Sequence, residues 1–77
     1  MKEIIEQVLK ILQSKVKGDV IIERDYSHIG LDITIKHNDF NFVIFMFDEY
    51  IHTYPVNEIV QHIIEEYKHE IYNYYFK

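Results

Sequence analysis

Two groups of side chains have the types and spacing for chemistry. His62, Glu66 and His69 stand at i, i+4 and i+7, so one helical face would present all three to a metal ion. Glu66-Tyr67-Lys68-His69 also has the Glu-x-x-His spacing used by di-iron centres in helical bundles. Such centres draw matching acids from other helices, and the other helical stretch offers only Glu3 and Glu6, near its start. The expectation is a solvated polar face with Glu65 and His69 paired across one turn, and no metal or other cofactor. Asp25, Ser27 and His28 supply the residue types of a hydrolase. A catalytic triad needs groups converging from separate elements, whereas Ser27 and His28 are neighbours in a turn. Ordinary turn chemistry, and no enzyme, is the expectation. Both glycines are isolated, so there is no phosphate-cradling loop.

The stretch that would position everything else runs from Leu31 to Phe47. Leu31, Ile33 and Ile35 alternate with Asp32, Thr34 and Lys36, the period of a half-buried strand. Phe40 to Phe47 is a second run of aromatic and β-branched residues. Asn38 and Asp39 between them tolerate the positive φ of a two-residue hairpin turn. If His37 faces Phe40, then Ile35 faces Phe42, Ile33 faces Ile44 and Leu31 faces Met46, which gives one continuous apolar face. The other face pairs Lys36 with Asn41, Thr34 with Val43 and Asp32 with Phe45. It leaves Val43, Phe45 and Phe47 among polar neighbours.

Around this hairpin, Lys2 to Lys15 has the apolar stripe of an amphipathic helix: Ile4, Ile5, Val8, Leu9, Leu12 and Val16. Gly18 is expected to take a left-handed conformation just past its end. Asp19 to Tyr26 reads as a first strand, with Val20 and Ile22 on one face and Ile21, Glu23 and Asp25 on the other. Asp48-Glu49 reads as a turn, and Tyr50 to Tyr54 as either a short fourth strand or an extended lead-in. Pro55 suits the first turn of a second helix, with Thr53 as its cap. That helix carries Val56, Ile59, Val60, Ile63, Ile64, Tyr67, Ile71 and Tyr74 at helical spacing, and its aromatic end would project beyond the sheet. The fold expected is a single α+β domain over residues 1–77, α-β-β-β-α, a three-stranded antiparallel meander with both helices on one face.

Composition narrows the function. Seventy-seven residues allow one small core and little room for a deep cleft. There are no cysteines, hence no disulfide and no Cys-ligated zinc. Phe42 to Phe47, the longest apolar run, is too short for a membrane span, and the N-terminus does not resemble a signal peptide, so a cytoplasmic protein without a membrane partner is expected. The net charge of −5 is uneven: +2 over residues 1–18, −5 over 19–49 and −2 over 50–77. Acid on the sheet opposes direct nucleic-acid binding, although seven Tyr and five Phe could otherwise stack on bases. Fourteen Ile against three Leu and no Ala is the bias of A/T-rich codons, pointing to a low-GC bacterium or its phage.

Two families share the order of elements. The chain resembles the double-stranded RNA-binding domain, and Ser27-His28-Ile29-Gly30 places a His in the loop where that family has one. It departs where that family begins its second helix with a lysine cluster, since Val56-Asn57-Glu58 stands there. In size, order, charge and composition it also resembles the small acidic phage proteins that inhibit CRISPR nucleases. That resemblance implies a nucleic-acid mimic whose carboxylates occupy a basic groove. The expected role is therefore a protein-binding module, a phage-encoded inhibitor of a host nucleic-acid-handling protein. Asp25, Asp32, Asp48 and Glu49 would supply charge, and Phe45 and Phe47 the apolar anchors. The alternatives are a structural or assembly role through self-association, as a homodimer joined by an uncovered third strand or the aromatic C-terminus, and a double-stranded RNA-binding-like module.

Overall fold

The computed structural model describes residues 2–76. Its elements are α1 (Lys2–Lys15), β1 (Asp19–Asp25), β2 (Gly30–His37), β3 (Phe40–Phe47), α2 (Asp48–Thr53) and α3 (Val56–Phe76). The strands form one antiparallel sheet in the order β1-β2-β3. This is the α+β meander expected, with one additional short helix.

The hairpin register follows the alternation: His37 opposite Phe40, Ile35 opposite Phe42, Ile33 opposite Ile44 and Leu31 opposite Met46. A one-residue slip would turn these side chains to water, so burial fixes the pairing. The turn uses positive φ only at Asn38 (55°), and Asp39 does not need it. On β1, Val20 and Ile22 fall opposite Ile35 and Ile33 and share their face.

That face meets the helices. Val8 and Leu12 of α1, Ile51 of α2 and Ile59, Val60, Ile63, Ile64 and Tyr67 of α3 are buried with Leu31, Ile33, Ile35, Phe40, Phe42 and Met46 in one core. Full burial of a side chain such as Ile33, Ile35 or Ile63 contributes about 1.5–3 kcal/mol each. Rings lock α3 over β3, with Tyr67 lying 5.6 Å from Phe42 and Tyr74 5.0 Å from Phe40. At roughly 30 Å, α3 outruns the core. Beyond Ile71, which is still partly buried, Tyr72, Tyr74, Tyr75 and Phe76 are all exposed.

Three local expectations are corrected. Gly18 does not take a positive φ. It is glycine because a Cβ there would collide with the backbone carbonyl of Lys36, so close approach rather than handedness selects it. Asp48-Glu49 is not a connecting turn but the start of a helix, and Tyr50 to Tyr54 is neither a strand nor an extended lead-in. Asp48 to Thr53 forms a helix, with two acids favouring its first turn, Tyr50 and Tyr54 rings 4.6 Å apart, and Ile51 buried. Thr53 does not cap α3. Its hydroxyl donates back to the Glu49 carbonyl at 2.6 Å, while the Pro55 carbonyl accepts the amides of Glu58 and Ile59 to start α3.

Candidate interaction surface

The second sheet face carries side chains in four cross-strand rows: Asp19–Lys36–Asn41, Ile21–Thr34–Val43, Glu23–Asp32–Phe45 and Asp25–Gly30–Phe47. Among the described residues no helix covers it, and every core side chain belongs to the opposite face or to the helices. Val43 and Phe47 are accordingly 62% and 60% exposed.

The aromatic part of this face is ordered by packing. Gly30 leaves room for the Phe45 ring, and a Cβ there would strike both that ring and the Met46 carbonyl. Phe45 also meets Phe47 edge-on at 4.8 Å and the His28 ring at 6.0 Å. Phe45 is thus half-buried by its own neighbours, while Phe47 stays open.

The β1–β2 turn frames this cluster. The Asp25 carboxylate accepts the backbone amides of Ser27 and His28 at 3.0 and 3.2 Å, and His28 Nδ1 lies 3.2 Å from its other oxygen. Partial burial pushes the Asp25 carboxyl up, but the His28 ring and the two amides outweigh it and hold it below its ordinary range. The turn places Ile29 at φ 51°, a strained conformation for a β-branched residue, and its carbonyl accepts the Asp48 amide at 3.0 Å. The three hydrolase-type residues therefore build a turn: both residues after Asp25–Tyr26 are bound through their backbone.

Electrostatics divide the acidic residues into two groups. Glu23 stands directly opposite Asp32, and neither has an ion-pair partner among the described residues. Like charges in that position destabilise a sheet. Asp48 behaves differently. Arg24, which alternation puts on the helix side of β1, reaches it with two parallel hydrogen bonds of 2.6 and 2.5 Å. The guanidinium's hydrogen bonds hold the Asp48 carboxyl below the usual carboxylate value.

Of the six residues expected to form a partner site, Asp32, Phe45 and Phe47 share the open face, with Asp25 at its border as the last residue of β1. Asp48 does not join them: its charge is used internally by Arg24. Glu49 is exposed on α2 and lines a shallow groove with Phe47, Tyr50, Thr53 and Tyr54. His28 was not legible as part of the cluster, because its contact with Phe45 depends on the turn geometry. Among the described residues, no group of three or more His, Cys, Asp or Glu is placed to hold a metal ion. The His62 ring lies tilted 5.7 Å from that of Tyr50, while His69 bonds Asn73 and Glu65 bonds Gln61, so the expected Glu65–His69 pair does not form.

No helix among the described residues is long and apolar enough to cross a membrane. Compared with protein families, curated proteins and solved structures, the chain matches none. The fold and surface define it only as a small acidic α+β meander with an uncovered sheet face.

Proposed function

We propose that the chain is a non-enzymatic protein-binding module, and that its open sheet face docks on a basic or mixed surface of another protein. One observation carries the reading. Glu23 and Asp32 face each other unneutralised beside Val43, Phe45 and Phe47, on a face that no element of the described chain covers. A partner's lysine or arginine between the carboxylates would relieve their repulsion, and its apolar surface would cover Phe47.

The partner class this face suits is a nucleic-acid-handling protein, whose basic groove would take carboxylates in place of phosphates. The chain then acts as an inhibitor, in the manner of phage-encoded proteins that block host enzymes. Direct nucleic-acid binding is disfavoured by the same charges.

Affinity capture from a low-GC bacterial lysate tests this, comparing the wild-type chain with the Glu23→Lys/Asp32→Lys variant. One nucleic-acid-handling protein held at low salt, released at high salt and lost with the variant supports it. Equal capture by both proteins refutes it.

A further inference from the structure

The outer edge of β3 is a different surface from the open face, although both belong to the same strand. In an antiparallel ladder, residues alternate between pairs that exchange backbone bonds and pairs that do not. The two-residue turn makes His37–Phe40 a bonded pair, so Phe40, Phe42, Ile44 and Met46 bond inward to β2. The amides and carbonyls of Asn41, Val43 and Phe45 therefore point outward, whereas the Phe47 carbonyl is taken up at the start of α2, which Phe47 caps. Carried across β2, the same alternation turns Val20, Ile22 and Arg24 outward on β1. Val20 confirms the assignment, because its amide donates to Gln13 Oε1 at 3.1 Å rather than to β2.

The two edges are treated unequally. Gln13 plugs the start of the β1 edge, since its amide also donates to the Gly18 carbonyl at 2.8 Å. Among the described residues, nothing in the protein bonds the outward amides and carbonyls of Asn41, Val43 and Phe45. The strand also lacks the usual edge defences, with no charged side chain and no proline from Phe40 to Phe47. Two shallow grooves run along it, one lined by Phe40 to Val43 with Glu70, the other by Phe45, Met46 and Phe47 with Tyr50 and His62. Consecutive residues of both faces can line one groove only along an edge.

A second copy fits this edge poorly. The helix α3 lies over β3, and joined strands are about 4.8 Å apart, whereas packed helices need about 8–10 Å between axes. Two copies paired antiparallel through β3 would force their α3 helices together. A single extended segment has no such obstacle. The groove walls also select its charge: Glu70 stands at the Asn41–Val43 end and Glu49 beside Phe47, with aromatic rings between.

We infer that the β3 edge is a strand-addition site for an extended peptide segment of a partner protein, apolar at its centre and carrying lysine or arginine towards its ends. Its backbone pairs with Asn41, Val43 and Phe45, and its basic residues meet Glu70 and Glu49.

The test uses a labelled peptide with a lysine at each end of an alternating threonine–valine segment, followed by fluorescence anisotropy on the full chain. Val43→Pro removes an outward amide that bonds nothing in the protein, a change edge strands tolerate. Binding is expected to fall at least about tenfold in Val43→Pro and to persist in Val43→Thr, which keeps the amide. In the wild-type chain, peptide should slow amide exchange at Asn41, Val43 and Phe45 but not at Ile22, so the test survives if the proline variant does not fold. No binding, binding unchanged by Val43→Pro in a folded chain, or protection away from the β3 edge overturns the inference. A wild-type dimer in sedimentation that Val43→Pro dissociates also overturns it, in favour of a second copy. The open-face reading is judged separately, by Glu23→Lys/Asp32→Lys, so either can fail alone.

Discussion

Arg24, the penultimate residue of β1, and Asp48, the first of α2, are joined through two parallel hydrogen bonds of 2.6 and 2.5 Å. This clamp ties the far end of an edge strand to the residue where the chain leaves β3. Its effect on stability should depend on pH in a definite direction. The folded-state pKa of Asp48 lies below its ordinary value of 3.8, so the unfolded chain binds the proton more readily. The stabilisation is therefore fully present above that ordinary value and is lost as pH falls through the lower folded value. Asp48→Asn should lower the urea midpoint at neutral pH, and the gap from wild type should shrink in acid. A gap that stays constant into strong acid would remove the clamp from the account.

Gly30 is predicted to be intolerant of even one methyl group. Its Cβ would meet the Met46 carbonyl, which cannot move without distorting β3, as well as the Phe45 ring. Gly30→Ala should cost about 1–3 kcal/mol in thermal or urea unfolding and displace the Phe45 ring resonances. Unchanged stability and spectra would mean that Phe45 does not lie over this glycine.

Ile29 offers the opposite prospect. It is exposed yet held at φ 51° between the Asp25-anchored turn and the Asp48 amide. Asparagine adopts that conformation with less strain, so Ile29→Asn should stabilise the domain by about 1 kcal/mol. Loss of stability on chemical denaturation would show that the Ile29 side chain contributes more than its backbone strain costs.

The aromatic end of α3 and the core of the same helix should respond very differently. Ile63 is completely buried, and Ile63→Ala should cost about 2–5 kcal/mol, enough to unfold much of so small a domain. Phe76 is 73% exposed, and Phe76→Ser should change stability by less than about 0.5 kcal/mol. Circular dichroism melts of the two variants check both; equal destabilisation would mean that the last turns of α3 are packed.

Sequence made the hairpin legible because a period-2 pattern on two adjacent runs leaves only one register with an apolar face. The helices α1 and α3 were legible for the corresponding reason at helical period. The helix α2 was not: six residues are too few for a periodic signal, and its stability comes from burying Ile51 and packing the Tyr50 ring against Tyr54. The division of the acids was hidden as well. Asp48 and Asp32 look alike in sequence, and only the folded chain brings Arg24 to one and Glu23 to the other. The turn at Asp25 to Ile29 contained recognisable turn formers, but nothing local announced the positive φ at Ile29.

The measurement that bears most directly on the proposed function is partner capture by the wild-type chain and by Glu23→Lys/Asp32→Lys, each at low and high salt. The expected result is one nucleic-acid-handling protein bound by the wild type, eluted by salt and absent from the charge-reversed chain. Recovery of the same partner by both proteins at both salts would contradict the role assigned to the open face.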